Sequence, residues 1–147
     1  MSKKNKDLVE LMLASLDEDH EPPAEHFTND AKIFFLGDPP MDLETYKQAS
    51  KGFFRAFPDL KHTIEELIEG ENDTVIVRET IVGTHRDTFM DIPATGCRVR
   101  FTGTLVLHMA RGKVRELHSN FDMFGLLNGI GAVKILTEDQ SGETSNG

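Results

Sequence analysis

The chain has 147 residues and a formal net charge of −9, and 38% of its side chains are hydrophobic. A chain of this length can fold as one domain around a single core. Its acidic balance argues against a nucleic acid or an anionic membrane surface as the partner, because both attract basic proteins.

The amino-terminal half predicts two helices with a strand between them. Apolar residues recur at helical spacing up to Pro22, namely Leu8, Leu11, Met12 and Leu16. A short helical piece is expected at 24–27, and "AKIFFL" at 31–36 is typical of a buried strand. Asp42 then has the features of an N-cap, and Tyr46 is placed to pack against Met41, the residue before the cap. The second helix is expected to stop at Pro58.

The other half of the chain predicts four strands. They lie at roughly 61–69, 73–84, 97–110 and 113–122, and a long loop separates the middle two. Helices segregated from an antiparallel meander indicate an α+β fold. Strands of ten or more residues curl strongly, so the sheet is expected to wrap around a helix as a cone with an apolar interior.

The chain is expected to form a single domain over residues 1–136, followed by a disordered tail at 137–147 that is rich in Gly, Ser and Thr. Cys97 is the only cysteine, which suits a reducing compartment. Glu10 interrupts the first apolar run and no small-residue cleavage site follows it, so no signal peptide is expected. No apolar stretch approaches the ~20 residues of a membrane span. We therefore predict a cytoplasmic location.

The last strand carries a row of polar side chains. Because side chains alternate along a strand, four of them share one face. These are Glu116, His118, Asn120 and Asp122. If the hairpin turn is at 111–112, counting outward places this row beside apolar residues of the preceding strand. Those residues are Phe101, Leu105, Leu107 and Met109. The row is therefore predicted to point into the apolar interior.

Such a row suggests acid/base chemistry. Burial raises the pKa of a carboxyl, which suits it to take and give a proton. His118 and Asp122 would lie about 13 Å apart, so they would bracket a flat substrate a few fused rings long rather than bond to each other. Asn120 and Glu116 would contact that substrate. Asp122 has an alternative role, since Asp is also a favoured N-cap for a helix beginning at Met123.

Several short motifs carry a resemblance to a known family. They are "AFPDL" (56–60), "GTH" (83–85), "VRFTG" (99–103) and "FDMFGLL" (121–127). In this order and spacing the chain resembles the SnoaL-like polyketide cyclases of the nuclear transport factor 2-like superfamily, from the first helix to about Gly131. The resemblance implies a cystatin-like cone and an intramolecular aldol cyclisation without metal or cofactor. In that family an aspartate near the end of the last strand is the general acid and base, and it falls on Asp122.

From these residues and this resemblance we predict a cofactor-independent cyclase or isomerase that acts on a small apolar substrate. Asp122 and His118 would be catalytic, and Phe101, Leu105 and Leu107 would line the cavity. His85 would lie at its mouth, although a histidine bonded to loop backbone explains that position as well. No paired His or Cys spacing indicates a metal site.

The resemblance also implies a homodimer or a larger homo-oligomer packed through the sheet. Apolar residues predicted on the outer face favour the same contact, namely Val106, Leu117 and Phe121. The chain departs from the family at three places: Leu117-His118 stands where a His-Trp pair is common, Leu105 stands where an aspartate is common, and two glycines of the loop after "GTH" are replaced by Asp87 and Asp91. These differences point to a different substrate.

Three other functions are possible for a chain with these features. Ketosteroid isomerase uses an Asp base with a Tyr and a protonated Asp, but Tyr46 is explained by the helix start. Epoxide hydrolases of the superfamily need an Asp–Arg–Asp group, and Leu105 removes one member. An apolar cone could also serve as a non-catalytic ligand-binding or dimerisation module. His62 belongs to no cluster that the sequence reveals.

Overall fold

The computed structural model describes residues 2–133. Its helices and strands run in the predicted order: α1 Ser2–Asp19, a 3₁₀ turn Ala24–His26, β1 Phe27–Phe35, α2 Leu43–Ala56, β2 Lys61–Glu69, β3 Thr74–Thr84, β4 Arg98–Ala110, β5 Lys113–Phe121 and α3 Met123–Gly129. The strand predicted at 31–36 begins earlier, at Phe27. The predicted tail at 137–147 lies outside the described residues.

The five strands form one sheet in the order β1-β5-β4-β3-β2. Strands β2 to β5 form the predicted antiparallel meander. Strand β1 pairs with β5 in parallel, so the sheet is mixed rather than purely antiparallel. Helix α1 packs on β2 and β3, and α2 packs on β1. The result is the predicted α+β fold, with a curved sheet around helices.

Helix α2 begins at the predicted cap. Asp42 Oδ1 accepts a hydrogen bond from the Thr45 backbone N–H at 2.8 Å, which satisfies an otherwise unpaired donor of the first turn. The hydrogen bonds from Thr45 lower the pKa of Asp42. The helix buries Tyr46, Ser50 and Phe54 on one face. It thereby places two hydroxyl groups, those of Tyr46 and Ser50, on the side that meets the core.

A β-bulge changes the register of the last hairpin. The turn at Arg111 and Gly112 is as predicted: both residues have positive φ, 54° and 77°, and Met109 pairs with Val114. However, the next pair is His108 with Glu116, so Arg115 is an extra residue on β5. Every later side chain of β5 therefore changes face relative to the prediction.

Because of the bulge, the predicted placement of the polar row in the interior is wrong. Leu117 and Ser119 are buried on the inner face, whereas Glu116, His118 and Asn120 lie on the outer face. Strand β4 is as predicted, since its inward residues are buried: Phe101, Leu105, Leu107 and Met109. Among the described residues, no helix is long and apolar enough to cross a membrane.

Candidate active site

A narrow cavity lies between α1, α2 and the inner face of the sheet. Most of its lining is apolar and aromatic, but five polar side chains reach it: Tyr46, Ser50, His62, Glu79 and Ser119. The volume open to the centre of a water molecule is about 60 Å³. Ligand cavities commonly hold about 300–1,000 Å³, so a drug-sized ligand would require some lining side chains to move.

Glu79 is the carboxyl of this cavity. On β3, Val75, Val77 and Ile81 are buried on the same face, and Glu79 stands in their row with only 3% of its surface exposed. Within the described part of the chain its Oε1 is buried without a hydrogen-bond partner. Burial raises the pKa of Glu79, and the charge of Asp17 adds to this while that of His62 opposes it.

Gly103 makes room for the Glu79 carboxyl. It pairs with Glu79 across β3 and β4, and a Cβ at this position would lie 3.1 Å from Glu79 Oε2 and 3.1 Å from Phe121 Cβ. Both distances are shorter than ordinary van der Waals contact. The absence of a side chain at residue 103 therefore leaves the space that the carboxyl occupies.

An Asp–His pair adjoins Glu79. His62 Nδ1 lies 2.5 Å from Asp17 Oδ1, and the His62 backbone N–H donates to Asp17 Oδ2 at 2.8 Å. Burial opposes a charge on His62, but the hydrogen bond to Asp17 and the negative charges of Glu79 and Asp17 raise its pKa overall. The carboxylate holds the ring by Nδ1, which leaves Nε2 as the nitrogen available to a substrate.

Tyr46 is the third titratable group of the cavity. Burial raises the pKa of its phenol, and the negative charge of Glu79 raises it further, while the hydrogen bond with Ser50 acts in the opposite direction. The phenol therefore stays protonated and can donate a hydrogen bond. Together, Tyr46, Glu79 and His62 place a neutral donor, a carboxyl and an imidazole around one apolar space.

The sequence profile of the SnoaL-like polyketide cyclases matches residues 6–130. The chain belongs to the SnoaL-like polyketide cyclase family. No curated protein sequence matches it.

Solved structures share the fold of this SnoaL-like chain. AclR from Streptomyces galilaeus, provisionally assigned as a hydroxylase, superimposes with a TM-score of 0.84 at 23% identity, over 99% of this chain and 92% of AclR. TsrD from Streptomyces laurentii has a TM-score of 0.78 at 21% identity, over 90% and 98% of the two chains. IdmH from Streptomyces antibioticus, provisionally assigned as a polyketide cyclase, has 0.76 at 23%, over 86% and 98%.

In this SnoaL-like chain the predicted polar row lies outside the cavity. Glu116 bonds to His118 on the outer face, Oε2 to Nε2 at 2.7 Å. That hydrogen bond lowers the pKa of Glu116. Asp122 is exposed, and its Oδ1 accepts from the Gly125 backbone N–H at 2.8 Å as the N-cap of α3. The predicted position of Asp122 inside the cavity is therefore wrong, and the alternative role as a cap is what the geometry shows.

Some of the other predicted site residues line the cavity and some do not. Phe101 and Leu105 line the cavity, whereas Leu107 lies in a neighbouring crevice against α1. His85 is fully buried away from the cavity and stacks on Phe57. Its Nδ1 accepts from the Thr95 backbone N–H at 3.3 Å, as the backbone-bonded alternative predicted.

The outer face is less apolar than predicted. Leu117 is buried inside, and Phe121 lines the cavity, so only Val106 of the three expected residues faces outward. The homodimer and the cytoplasmic location stay predictions.

Sequence reasoning missed the residues that reach the cavity. Glu79 did leave a signal, since it is the only carboxyl among the alternating apolar residues Val75, Val77 and Ile81 of "TVIVRETIVGT". His62 left none, because its partner Asp17 is 45 positions away on another element.

Proposed function

We propose that this protein closes a ring in a small, largely apolar substrate by acid/base, aldol-type chemistry, and that Glu79 carries the proton. The main support is the Glu79 carboxyl, which is buried at the apolar cavity with Oε1 unpaired in the described residues. Burial brings its pKa closer to neutrality, so the same group can take a proton and return it. Family membership supplies the class of reaction.

The reaction would begin when ionised Glu79 removes a proton from a carbon next to a carbonyl. Tyr46 would donate a hydrogen bond to that carbonyl oxygen as negative charge develops on it. The carbanion then attacks a second carbonyl of the same molecule and forms the new C–C bond. The proton on Glu79 passes to the resulting alkoxide, which regenerates the carboxylate without any further reactant.

His62 would set the charge of the carboxyl. A protonated His62 ring lowers the pKa of Glu79 against the effect of burial, which favours the ionised carboxylate that the first step needs. Asp17 in turn holds the ring and favours its charged form. Three groups on α1, β2 and β3 thus act together, which explains why an ionisable pair is retained next to an apolar cavity despite the desolvation cost.

The cavity volume limits the substrate. A space of about 60 Å³ does not hold a molecule of several fused rings. Three aromatic residues of the lining are only half-buried, so displacing them would cost less packing than displacing the buried ones: Phe35, Phe53 and Phe121. We expect a compact substrate, or an extended one that displaces these rings on entry.

A second candidate function is isomerisation of a ketone. Ketosteroid isomerase places a Tyr and a protonated carboxyl at the substrate oxygen. In this chain Tyr46 is buried at the cavity together with Glu79, so Tyr46 would donate to the ketone oxygen and Glu79 would take the place of the isomerase's separate Asp base. Both candidate reactions begin by removing a proton next to a carbonyl, so one assay addresses the shared step.

The test is hydrogen–deuterium exchange at the carbon between the two carbonyls of a small β-diketone, followed by NMR in D₂O. The parent should accelerate exchange, and Glu79→Gln should lose about 10²–10⁴-fold of that acceleration. Asp122→Asn is the matched control, because it removes a carboxylate outside the cavity and should keep full activity.

Two results of the exchange assay would overturn the proposal. If Asp122→Asn abolished exchange and Glu79→Gln did not, the acid/base role would return to Asp122. If the parent bound the diketone without accelerating exchange, the non-catalytic ligand-binding alternative would replace the proposal.

A further inference from the structure

A cluster of three potential metal ligands lies on the outer face of the sheet, away from the cavity. His108 comes from β4, and Glu116 and His118 come from β5. One ligand atom from each side chain lies within 4.8 Å of the other two. The side chains are about a third exposed (29%, 28% and 33%), so an ion from solvent can reach them.

The cluster exists because of the β-bulge. The extra residue Arg115 brings Glu116 opposite His108 and turns His118 to the same outer face. Without the bulge, the Glu116 carboxylate and the His108 ring would lie on opposite faces of the sheet. The two histidine rings meet edge to face, with centroids 5.8 Å apart.

The distances suit a shared ion. Glu116 Oε2 lies 2.7 Å from His118 Nε2 and 3.9 Å from His108 Nε2. Two tetrahedral ligands with bonds of 2.0–2.1 Å to one zinc ion are about 3.3 Å apart, and the two observed distances lie on either side of that value. An ion would take the place of the proton that now joins Oε2 to the His118 ring.

Neighbouring side chains hold both rings in position. Thr74 Oγ1 lies 3.1 Å from His108 Nδ1, which leaves Nε2 of that ring for coordination. Phe34 on β1 stacks on His118 with centroids 4.4 Å apart and planes 2° from parallel. Residues from four strands therefore form or contact the cluster. Metal ligands are typically placed on rigid elements and held in orientation by neighbouring side chains, as the Thr74 hydroxyl and the Phe34 ring do here.

We propose that His108, Glu116 and His118 bind a divalent first-row transition metal ion, with Zn²⁺ as the reference ion. Two imidazoles and one carboxylate are a ligand set found for zinc, with the fourth position left to water. Mg²⁺ and Ca²⁺ prefer a shell of oxygen ligands, so they should not compete. This site is independent of the proposed chemistry at Glu79.

The experiment is calorimetric titration of Zn²⁺ into the full chain without an affinity tag. We expect one saturable site per chain. Its affinity for Zn²⁺ should fall by about tenfold or more in each of three variants that lack one ligand: His108→Asn, Glu116→Gln and His118→Asn. Thr74→Val removes only the hydroxyl that contacts His108 Nδ1 and should weaken binding by about 10–100-fold. His26→Asn is the control, since it removes a histidine of the 3₁₀ turn and should leave the affinity unchanged.

Thermal melts show whether each variant folds. Zn²⁺ should raise the melting temperature of the parent and of His26→Asn, because a ligand that binds the folded state stabilises it. It should not raise that of the triple variant, which combines His108→Asn, Glu116→Gln and His118→Asn. Equal Zn²⁺ affinity in the parent and the triple variant would overturn the proposal. So would the absence of saturable binding, or equal binding of Mg²⁺.

Discussion

Glu79 and Glu116 are identical side chains on two strands of one sheet, but they face opposite sides of it. Glu79 stands alone among apolar neighbours of β3, and burial raises its pKa. Glu116 stands in a polar row of β5, and the hydrogen bond from His118 lowers its pKa. Several polar residues in alternation marked the solvent side of this sheet, whereas one carboxyl in an apolar row marked the cavity.

The same contrast separates two aspartates. Asp17 receives two hydrogen bonds from β2 and influences the charges in the cavity. Asp122 is exposed and bonds to the backbone of its own helix. A carboxylate that joins distant elements should affect global stability more than one that caps a short helix. The following substitutions measure that difference.

Asp17→Ala should have the largest effect on stability. It removes both hydrogen bonds between α1 and β2 and leaves the His62 ring without its partner, so we expect a loss of about 2–3 kcal/mol. Urea denaturation followed by circular dichroism measures it. Glu18→Ala, on the exposed side of the same helix turn, should stay within about 0.5 kcal/mol of the parent. If both variants lost the same free energy of unfolding, the Asp17–His62 contact would not stabilise the fold.

Gly103→Ala should disturb Glu79 directly. A Cβ 3.1 Å from both Glu79 Oε2 and Phe121 Cβ must displace one of them. The carboxyl is the end of a flexible side chain, whereas Phe121 Cβ is attached to the backbone, so we expect the carboxyl to move, at a cost of about 1–3 kcal/mol. Because the carboxyl moves, exchange activity should fall together with stability. Gly52→Ala on α2 is the control, since nothing lies within 4 Å of its Cβ and helix propensity should raise stability by about 0.5–1 kcal/mol. Full activity of Gly103→Ala would contradict the assigned position of Glu79.

Glu79→Gln and Glu116→Gln should change the pH dependence of stability in opposite directions. A raised folded pKa favours folding at low pH, and this benefit is lost as pH rises from the ordinary value of 4.5 through the folded value. As pH rises over that range, Glu79→Gln should therefore become more stable relative to the parent. The change should be about 1.4 kcal/mol for each unit by which the folded and unfolded pKa values of Glu79 differ.

For Glu116 the folded pKa is lowered, so its contribution is present above 4.5 and is lost as pH falls through the folded value. Glu116→Gln should accordingly be less stable than the parent at neutral pH and match it in acid. Urea midpoints from pH 3 to 9 test both variants. The same sign for the two curves would remove the distinction between inner and outer carboxylates.

Much of the fold was predictable because it depends on local patterns. Helix α2, its cap at Asp42 and the inner face of β4 follow from side-chain periodicity and from residues that are close in sequence. The parallel pairing of β1 with β5 has no such local sign, since about half of the chain lies between the two strands.

The candidate site was harder to predict, and the reason is one residue. Arg115 forms the bulge that turns Glu116, His118 and Asn120 outward, and neither glycine nor proline marks its position. Alternation was predicted correctly on both sides of the bulge, but not the face. The inward placement of Phe101 and Leu105 was predicted correctly because side chains alternate regularly along β4.

Asp122 provides the smallest expected effect and the sharpest test between its two roles. As the N-cap of α3 it should lose about 1 kcal/mol of stability on replacement by Ala, and almost none on replacement by Asn, which caps equally well. Exchange activity should be the same in both variants, because the carboxylate lies outside the cavity. If Asn preserved stability but reduced exchange as strongly as Glu79→Gln does, Asp122 would act on the substrate after all. The two carboxyls would then have to meet in a more open form of the protein, with the half-buried rings of Phe53 and Phe121 displaced.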